Sequence, residues 1–440
     1  MMRNGMPLPQ FAAAAKQAAT ASARRVALVR HRAFGSYLRA CIPDASSVQH
    51  LPPPEAVERL LIVRLDEIGD FVLTTPFLRA IRARYPRARI SLVANASVAG
   101  LAASCPYIDE LLPFAMRRRH PPFDQLGAYL EARRFARERL RGHKFELAVI
   151  PRAYIDDGCG LAMAYHAEIP VRVGYAEDAF PLRAVKNRGY SRFLTHLIER
   201  RELHEVRCAL DTAAFLGADI RDSRLELWPT SKESARARER LLPYRNRGMG
   251  LIALAPGGGL GRRLWPARSF ARLAACLVER TNAVILLMGG PGEEGIAEQV
   301  ISASGGHLAR ILNVVGKVSL GEAAALLGGC DLFIGNDSGP MHMAAAMGVP
   351  CVEISCHPAG GDPLGENSPA RFAPWGVPSR VLQPRHAIAP CRTACTKPYA
   401  HCIASISSDE VLDAAWELLA GPDVRLTNRT EVGRGPMSAV

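Results

Sequence analysis

The 440-residue chain is 48% hydrophobic and 22% charged, enough apolar content for two or three domain cores. It holds no run of about 18 uninterrupted apolar residues, so no membrane-spanning helix is expected. With 55 Lys and Arg against 42 Asp and Glu the formal net charge is +13, and the aromatic residues (6%) are not interleaved with the basic ones as a nucleic-acid module requires. Nucleic acid is one candidate partner for the charge, but no binding module is recognisable, and an anionic membrane face or an acidic lipid substrate explains the charge equally well; no nucleic-acid partner is assigned.

Residues 1–54 read as a basic N-terminal extension that closes on Pro52-Pro53-Pro54. Its short apolar run Phe11–Ala15, followed by Arg24, Arg25, Arg30 and Arg32, is too brief for a secretion signal. The eleven cysteines are an odd count, and Cys208, Cys276, Cys330 and Cys351 sit singly in apolar contexts, as in a reduced, cytoplasmic protein.

A strand–helix rhythm then begins. Leu60–Leu65 predicts a buried strand, Phe71–Tyr85 a helix, and Arg89–Ala94 and Leu147–Pro151 two further strands, so residues 55–228 are expected to form a doubly wound domain. In Arg64-Leu65-Asp66-Glu67-Ile68-Gly69-Asp70-Phe71 a strand ends in a glycine turn and Asp70 starts the helix. An acid there ordinarily caps the helix, but at the carboxyl end of a strand it can also take a proton from a hydroxyl nucleophile. Asp70 is thus the candidate base, while Asp66 and Glu67 are expected to be solvated. Two basic clusters, Arg117-Arg118-Arg119-His120 and Arg133, Arg134, Arg137, Arg139 and Arg141, read as solvated faces, with a lipid-facing patch as the alternative.

The second series follows Trp228-Pro229, with strands expected at Gly250–Ala255, Ala283–Met288, Ile311–Val314, Cys330–Ile334 and Val349–Ile354. Helices at Ser269–Glu279, Gly295–Ser302, Leu320–Gly328 and Pro340–Met347 separate them. Residues 229–420 would form the second doubly wound domain and 421–440 a tail. The fold class is α/β, and ligands bind such paired sheets in the crevice at the carboxyl ends of the strands.

Three segments carry candidate binding residues. In Pro256 to Pro266, Gly257 and Gly258 let backbone approach a ligand, and Arg262 and Arg263 offer a fork for phosphate oxygens. Gly290-Pro291-Gly292-Glu293-Glu294-Gly295 spells G-x-G-x-x-G, but its two acids would repel a pyrophosphate, and Glu293 suits sugar or ribose hydroxyls better. Gly335 to His342 joins a strand to a helix, with Asp337 or Ser338 as cap, Pro340 in the first turn, and free N–H groups near Ser338 and Gly339 as a phosphate socket. Cys391, Cys395 and Cys402, with His401 adjacent and His386 upstream, lack a C-x2-C knuckle. Three thiols so spaced could ligate zinc with a histidine as fourth partner, but without that knuckle they read first as reduced thiols or an opportunistic disulfide, and no metal is assigned.

The stretch Leu61 to Leu78, the Arg263-x-Trp265-Pro266 element and Asn336-Asp337-Ser338-Gly339-Pro340-Met341-His342 resemble the heptosyltransferases of lipopolysaccharide assembly, glycosyltransferase family 9. The likeness runs from about Arg59 to Leu419, in the family's order and spacing, and the Cys391–Cys402 cluster also resembles one seen in many members. It implies a GT-B architecture, two Rossmann-like domains facing across a cleft, with the donor nucleotide in the second and the acceptor against the first. The implied reaction moves heptose from ADP-heptose to the lipid A–core acceptor with inversion, without metal or cofactor, and the implied location is cytoplasmic, peripheral on the inner membrane. Asp70 matches the family's base, Glu293 an acid that contacts the nucleoside, and Asp337 one that contacts the sugar. Arg263 stands where the family usually has a phosphate-binding lysine. Asp66-Glu67, the tri-glycine loop and the Arg-rich insertion near 117–141 depart from the family pattern. On the residues alone, a nucleotide-sugar epimerase or a non-catalytic nucleotide-sugar binder remains the alternative.

Overall fold

The computed structural model describes residues 29–43, 50–115, 124–304 and 308–420. Its central strands are buried along nearly their whole length: in β1 (Arg59–Arg64) five of six residues are buried, and in β7 (Gly250–Ala255) all six are. Such runs suit parallel strands covered by helices on both faces. Two six-stranded sheets result. The first contains β1, β2 (Arg89–Asn95), β3 (Glu110–Phe114), β4 (Leu147–Ile150), β5 (Val171–Tyr175) and β6 (His196–Ile198) in the order β3-β2-β1-β4-β5-β6. The second contains β7, β8 (Ala283–Leu287), β9 (Ile311–Asn313), β10 (Leu332–Asn336), β11 (Cys351–Ile354) and β12 (Ser379–Leu382) in the order β12-β11-β10-β7-β8-β9. Counted from its own first strand, the second sheet repeats the first, and both follow the dinucleotide-binding order that reverses beside the first strand. This is the GT-B architecture that the resemblance implies.

The register places Leu60 beside Ile90 on one side and Leu147 on the other, and Leu254 beside Ile334 and Leu287. Helix Ala267–Arg280 buries Phe270, Leu273, Ala274 and Leu277, a single stripe at helical spacing, against the second sheet. One apolar core runs from Leu60 and Phe77 in the first unit to Leu251 and Phe333 in the second. The two units therefore share buried surface.

Some boundaries differ from the sequence reading. The first helix spans Ile68–Arg84, and β10 spans Leu332–Asn336, so Asn336 ends a strand. Strands β3, β5, β6 and β12 are additions to the expected set; β6 has three residues and β12 is only partly buried, so neither announces itself as an apolar run. Part of the expected extension is also docked. Residues 29–41 are helical, Leu38 and Ile42 are buried against the first sheet, and Arg192 donates to the Ile42 carbonyl at 2.7 Å. The cluster Arg117–His120 and the tail 421–440 lie outside the described residues.

A connection between β11 and β12 crosses to the first unit. Its Arg371 is fully buried, ion-paired with Glu205 and lying 3.8 Å from the Tyr154 ring centroid. Trp375 donates its indole N–H to the Ser223 carbonyl at 2.9 Å, and His204 reaches the Ala373 carbonyl at 3.1 Å. His204 Nδ1 accepts the Val206 N–H, so Nε2 carries the proton toward Ala373 and the imidazole is neutral.

Two outcomes are expected. Glu205→Ala strands the Arg371 charge and should lower the unfolding free energy in urea by about 3–5 kcal/mol, the cost of breaking a buried pair; a loss within the range of a surface substitution would rule that pairing out as a structural clamp. Burial lowers His204 from 6.5 to about 4 although its bond to Ala373 opposes the shift. Its contribution to stability is therefore complete above pH 6.5 and eroded as pH falls toward about 4. The melting temperature should drop over that interval, and less so in His204→Asn.

Candidate active site

β1 ends at Arg64, and a short loop leads into the helix Ile68–Arg84. Glu67 is the N-cap of that helix, with no side-chain cap bond, so Asp70 does not cap it and lies in the first turn. Its carboxylate is thereby left to the charges around it. Oδ1 lies 3.5 Å from Arg64 Nη2 and 3.4 Å from Arg152 Nη1. Asp66 is held more closely, at 2.8 Å from Arg64 and 2.5 Å from Arg152. It is therefore not the solvated charge that the sequence suggests, because two guanidinium groups draw it inward; Glu67 is exposed.

Arg64 also lies 3.8 Å from Glu205, which pairs with Arg371 of the second unit. Three guanidinium groups (Arg64, Arg152, Arg371) thus meet three carboxylates (Asp66, Asp70, Glu205) in one cluster. Burial pushes Asp70 upward, but Arg152 and Arg64 outweigh it and hold the group below its ordinary value, with smaller help from His342 and Arg371. Asp66 is pushed up by burial to about 6, against the pull of the same two arginines. Asp70 is accordingly the more readily ionised of the pair.

The two helix ends abut at this point. A Cβ on Gly69 would lie 2.6 Å from the His342 ring, and one on Gly339 would lie 3.1 Å from Ile68 Cβ. Only glycine admits that approach. His342 belongs to the helix Gly339–Ala346 and is buried, which lowers its pKa, while Asp337 and Asp70 pull the other way. The imidazole thus lies in the field of carboxylates from both units, with Arg263 opposing them.

Asn336 organises the facing wall. Its Nδ2 donates to the carbonyls of Pro256 (2.9 Å) and Gly257 (3.1 Å), and its Oδ1 accepts the Trp265 N–H at 3.1 Å. The loop 256–266 is pinned at both ends, and Trp265 is further fixed by donating Nε1–H to the Ile406 carbonyl. Arg263, held in that loop, donates Nε–H to Asn367 Oδ1 at 2.7 Å and places Nη1 3.4 Å from the Asp337 carbonyl and 3.6 Å from its carboxylate. Arg262 lies 3.4 Å from Glu366. Ser338 is the N-cap of the helix Gly339–Ala346, yet its hydroxyl donates to the Asn336 carbonyl and caps nothing. The first N–H groups of that helix are left without a side-chain cap, at its positive end.

Glu293 folds back on its own loop and accepts the Gly290 N–H at 2.8 Å; its carboxylate covers Gly257, where a Cβ would lie 2.2 Å from Glu293 Oε1. Glu294 takes the Gly292 N–H at 2.8 Å. The donors a pyrophosphate would need in the G-x-G-x-x-G segment are therefore occupied, against a nicotinamide dinucleotide there. At Gly258 a Cβ would meet only the Leu264 side chain, at 3.3 Å, so the backbone there stays open.

The sequence reading does not single out Arg64, Arg152, Glu205, Arg371, Asn336 or Asn367 as site residues; they are scattered along the chain and meet only through the fold. Nor does it single out Glu353 in β11, fully buried and raised well above its ordinary value by burial and by Asp337. A lone acid inside the apolar run Val349–Ile354 is its signal. Cys391, Cys395, Cys402 and His401 are brought together, and His386 does not join them.

The glycosyltransferase family 9 (heptosyltransferase) model matches residues 162–397, more than half of the chain. Similar proteins include lipopolysaccharide heptosyltransferase 2 of Salmonella typhimurium (strain LT2), 25% identical over 354 residues, covering 74% of this chain and 88% of that one. Lipopolysaccharide heptosyltransferase 3 of Escherichia coli is 24% identical, over 65% of this chain and 80% of its own. Among solved structures, a family 9 glycosyl transferase from Veillonella parvula DSM 2008 shares the fold with a TM-score of 0.66 at 23% identity, over 82% of this chain and 97% of that one. An E. coli ADP-heptose lps heptosyltransferase II does so with a TM-score of 0.60 at 21% identity, over 82% and 98%. With the motifs, the paired sheets and the family match in agreement, the chain belongs to glycosyltransferase family 9, the heptosyltransferases.

Proposed function

We propose that the protein transfers a heptose from ADP-heptose to a lipopolysaccharide-core acceptor with inversion at the anomeric carbon, and that no metal takes part in the chemical step. The observation that carries this reading is the ionised Asp70 beside His342, where the uncapped helix end and Arg263 of the second unit face it. The names of the similar proteins supply the donor and the acceptor class.

In this mechanism Asp70 accepts the proton of the acceptor hydroxyl as its oxygen bonds to the anomeric carbon. The bond from that carbon to the diphosphate oxygen breaks on the opposite face, and the electron pair leaves with ADP. Because the arginines hold Asp70 as a weak base, proton transfer comes late, when the hydroxyl has become acidic through bond formation. Arg263, Arg262 and the backbone N–H groups of Ser338 and Gly339 receive the leaving charge, each such preorganised donor being worth on the order of 3 kcal/mol. Gly258 lets the loop approach the diphosphate, Gly257 makes room for Glu293, which meets the nucleoside, Asp337 meets the sugar, and His342 packs between base and donor.

The acceptor is an acidic glycolipid, and a membrane-facing surface suits it. On helix Asp124–Phe135 and the turn after it, Leu126, Leu130, Arg133, Arg134 and Arg137 form an exposed stripe, and Val29 and Tyr37 are exposed on the N-terminal helix, which meets the first through the Phe34–Tyr129 ring contact. Apolar and basic side chains on one face suit peripheral contact with an anionic leaflet, here the cytoplasmic face of the inner membrane. No helix among the described residues is long and apolar enough to cross a membrane.

Asp70→Ala should abolish transfer from ADP-heptose to a core acceptor while leaving ADP affinity near that of the unmodified protein; full turnover in that variant would remove Asp70 from the mechanism. Arg263→Ala should weaken ADP binding by calorimetry and slow transfer about 100-fold. Unchanged affinity for the diphosphate would dismiss the arginine as its clamp.

A further inference from the structure

We infer that Cys391, Cys395, His401 and Cys402 bind one zinc ion in a closed tetrahedral site. Their ligand atoms all lie within 4.8 Å of one another, with His401 Nδ1 3.7 Å from Cys391 Sγ and 3.4 Å from Cys402 Sγ. A tetrahedron with Zn–S of about 2.3 Å and Zn–N of about 2.05 Å has edges of about 3.8 Å between sulfurs and about 3.6 Å between sulfur and nitrogen. The cluster is already close to that size. All three thiols are free and buried, and among the described residues the apolar group they form has only Ala387 packed against it, far too little to order the segment by hydrophobic burial.

That segment needs a staple. From Gln383 to His401 the chain has no helix or strand, a length rare for an ordered connection in a compact domain. Small units without a core are commonly held by disulfides or a metal. Three soft thiolates and an imidazole select zinc, and a fully protein-ligated set is the structural kind of site, with no position left for water chemistry. Each coordinating thiol gives up its proton on binding, so the site is part of folding.

The zinc loop lies against both supports of the arginine pair. A Cβ on Gly261 would lie 2.3 Å from the Pro398 carbonyl oxygen, so the loop backbone abuts the turn Gly261–Arg263. The Thr393 carbonyl accepts the Asp362 N–H at 3.0 Å, on the strand-to-strand connection that carries Glu366 and Asn367. Those two side chains hold Arg262 and Arg263. The ion would thus brace the turn from below without touching substrate. This consequence rests on the reading of Arg263 as the diphosphate clamp; the presence of zinc does not.

The test is elemental analysis of the purified full-length chain, expected to hold about one zinc per molecule. Cys395→Ser and Cys402→Ser should reduce it to background, while Cys41→Ser, at an exposed cysteine outside the cluster, keeps it. Cobalt-loaded protein should show the visible bands of tetrahedral thiolate coordination. If the serine variants do not fold, release of one zinc from the unmodified protein on titration with a mercurial decides in favour. Background zinc in the unmodified protein, stoichiometric iron in its place, zinc retained in the folded serine variants, or a disulfide between any two of these cysteines on peptide mapping would overturn the assignment. ADP titration before and after chelation then reads the bracing separately: weaker binding after zinc removal is expected, and unchanged binding would overturn the bracing.

Discussion

The structure depends on a buried cluster in which three arginines and three carboxylates cancel. Any one of these charges alone would be too costly to bury, and pairing alone rarely makes such a group more stable than apolar packing. Its value lies in specificity. Arg371 can satisfy its charge only where Glu205 stands, and Glu205 in turn faces Arg64, which faces Asp66 and Asp70. The relative position of the two units and the ionisation of the candidate base are therefore set by the same chain of contacts. Arg371, a residue of the second unit, helps to hold Asp70 low.

That coupling changes how Asp70 should be regarded. A carboxylate tuned toward neutrality is the usual expectation for a general base, yet this one is displaced the other way. Its neighbour Asp66 is the group raised toward neutral pH, and the two share Arg152. With two carboxylates so near, Asp66 is the harder of the two to ionise, chiefly through burial. The geometry gives the shorter contacts to Asp66 and the first-turn position beside His342 to Asp70. Asp70 is therefore the anion oriented toward the second unit, while Asp66 keeps Arg64 and Arg152 in place behind it.

Much of this is legible in the sequence where the physics is local. Continuous apolar runs mark β1, β7 and β8, the G-D turn locates Asp70, and the loop 256–266 and the Asn336–His342 segment announce themselves through glycine, proline and arginine chemistry. Short or half-exposed strands such as β6 and β12 leave no periodic mark. The partners of Asp70 are invisible for a different reason: Arg152, Glu205 and Arg371 lie far apart in the chain, and each alone looks like a surface charge. Asp66 reads as solvated because proximity to two guanidinium groups is a tertiary fact. The cysteine spacing is silent in the same way, since only the folded loop brings three thiols and a histidine together.

Two helices point their N-termini at one gap, and the glycines at their tips explain how. Gly69 admits the His342 ring and Gly339 admits Ile68, so the positive ends of both helix dipoles converge where Arg263 already stands. Left unbalanced, that field would push the units apart. Asp70 and Asp337 supply the internal negative charge that offsets it, and both act on the buried His342. A ligand carrying its own negative charge can take over part of that role. Its phosphates would then be held by the convergence of two helix ends and a guanidinium, while Asp70 is left to receive a proton. A cleft so built would favour a departing anion through orientation fixed before the ligand arrives, which is why the turn that carries Arg263 would have to be rigid.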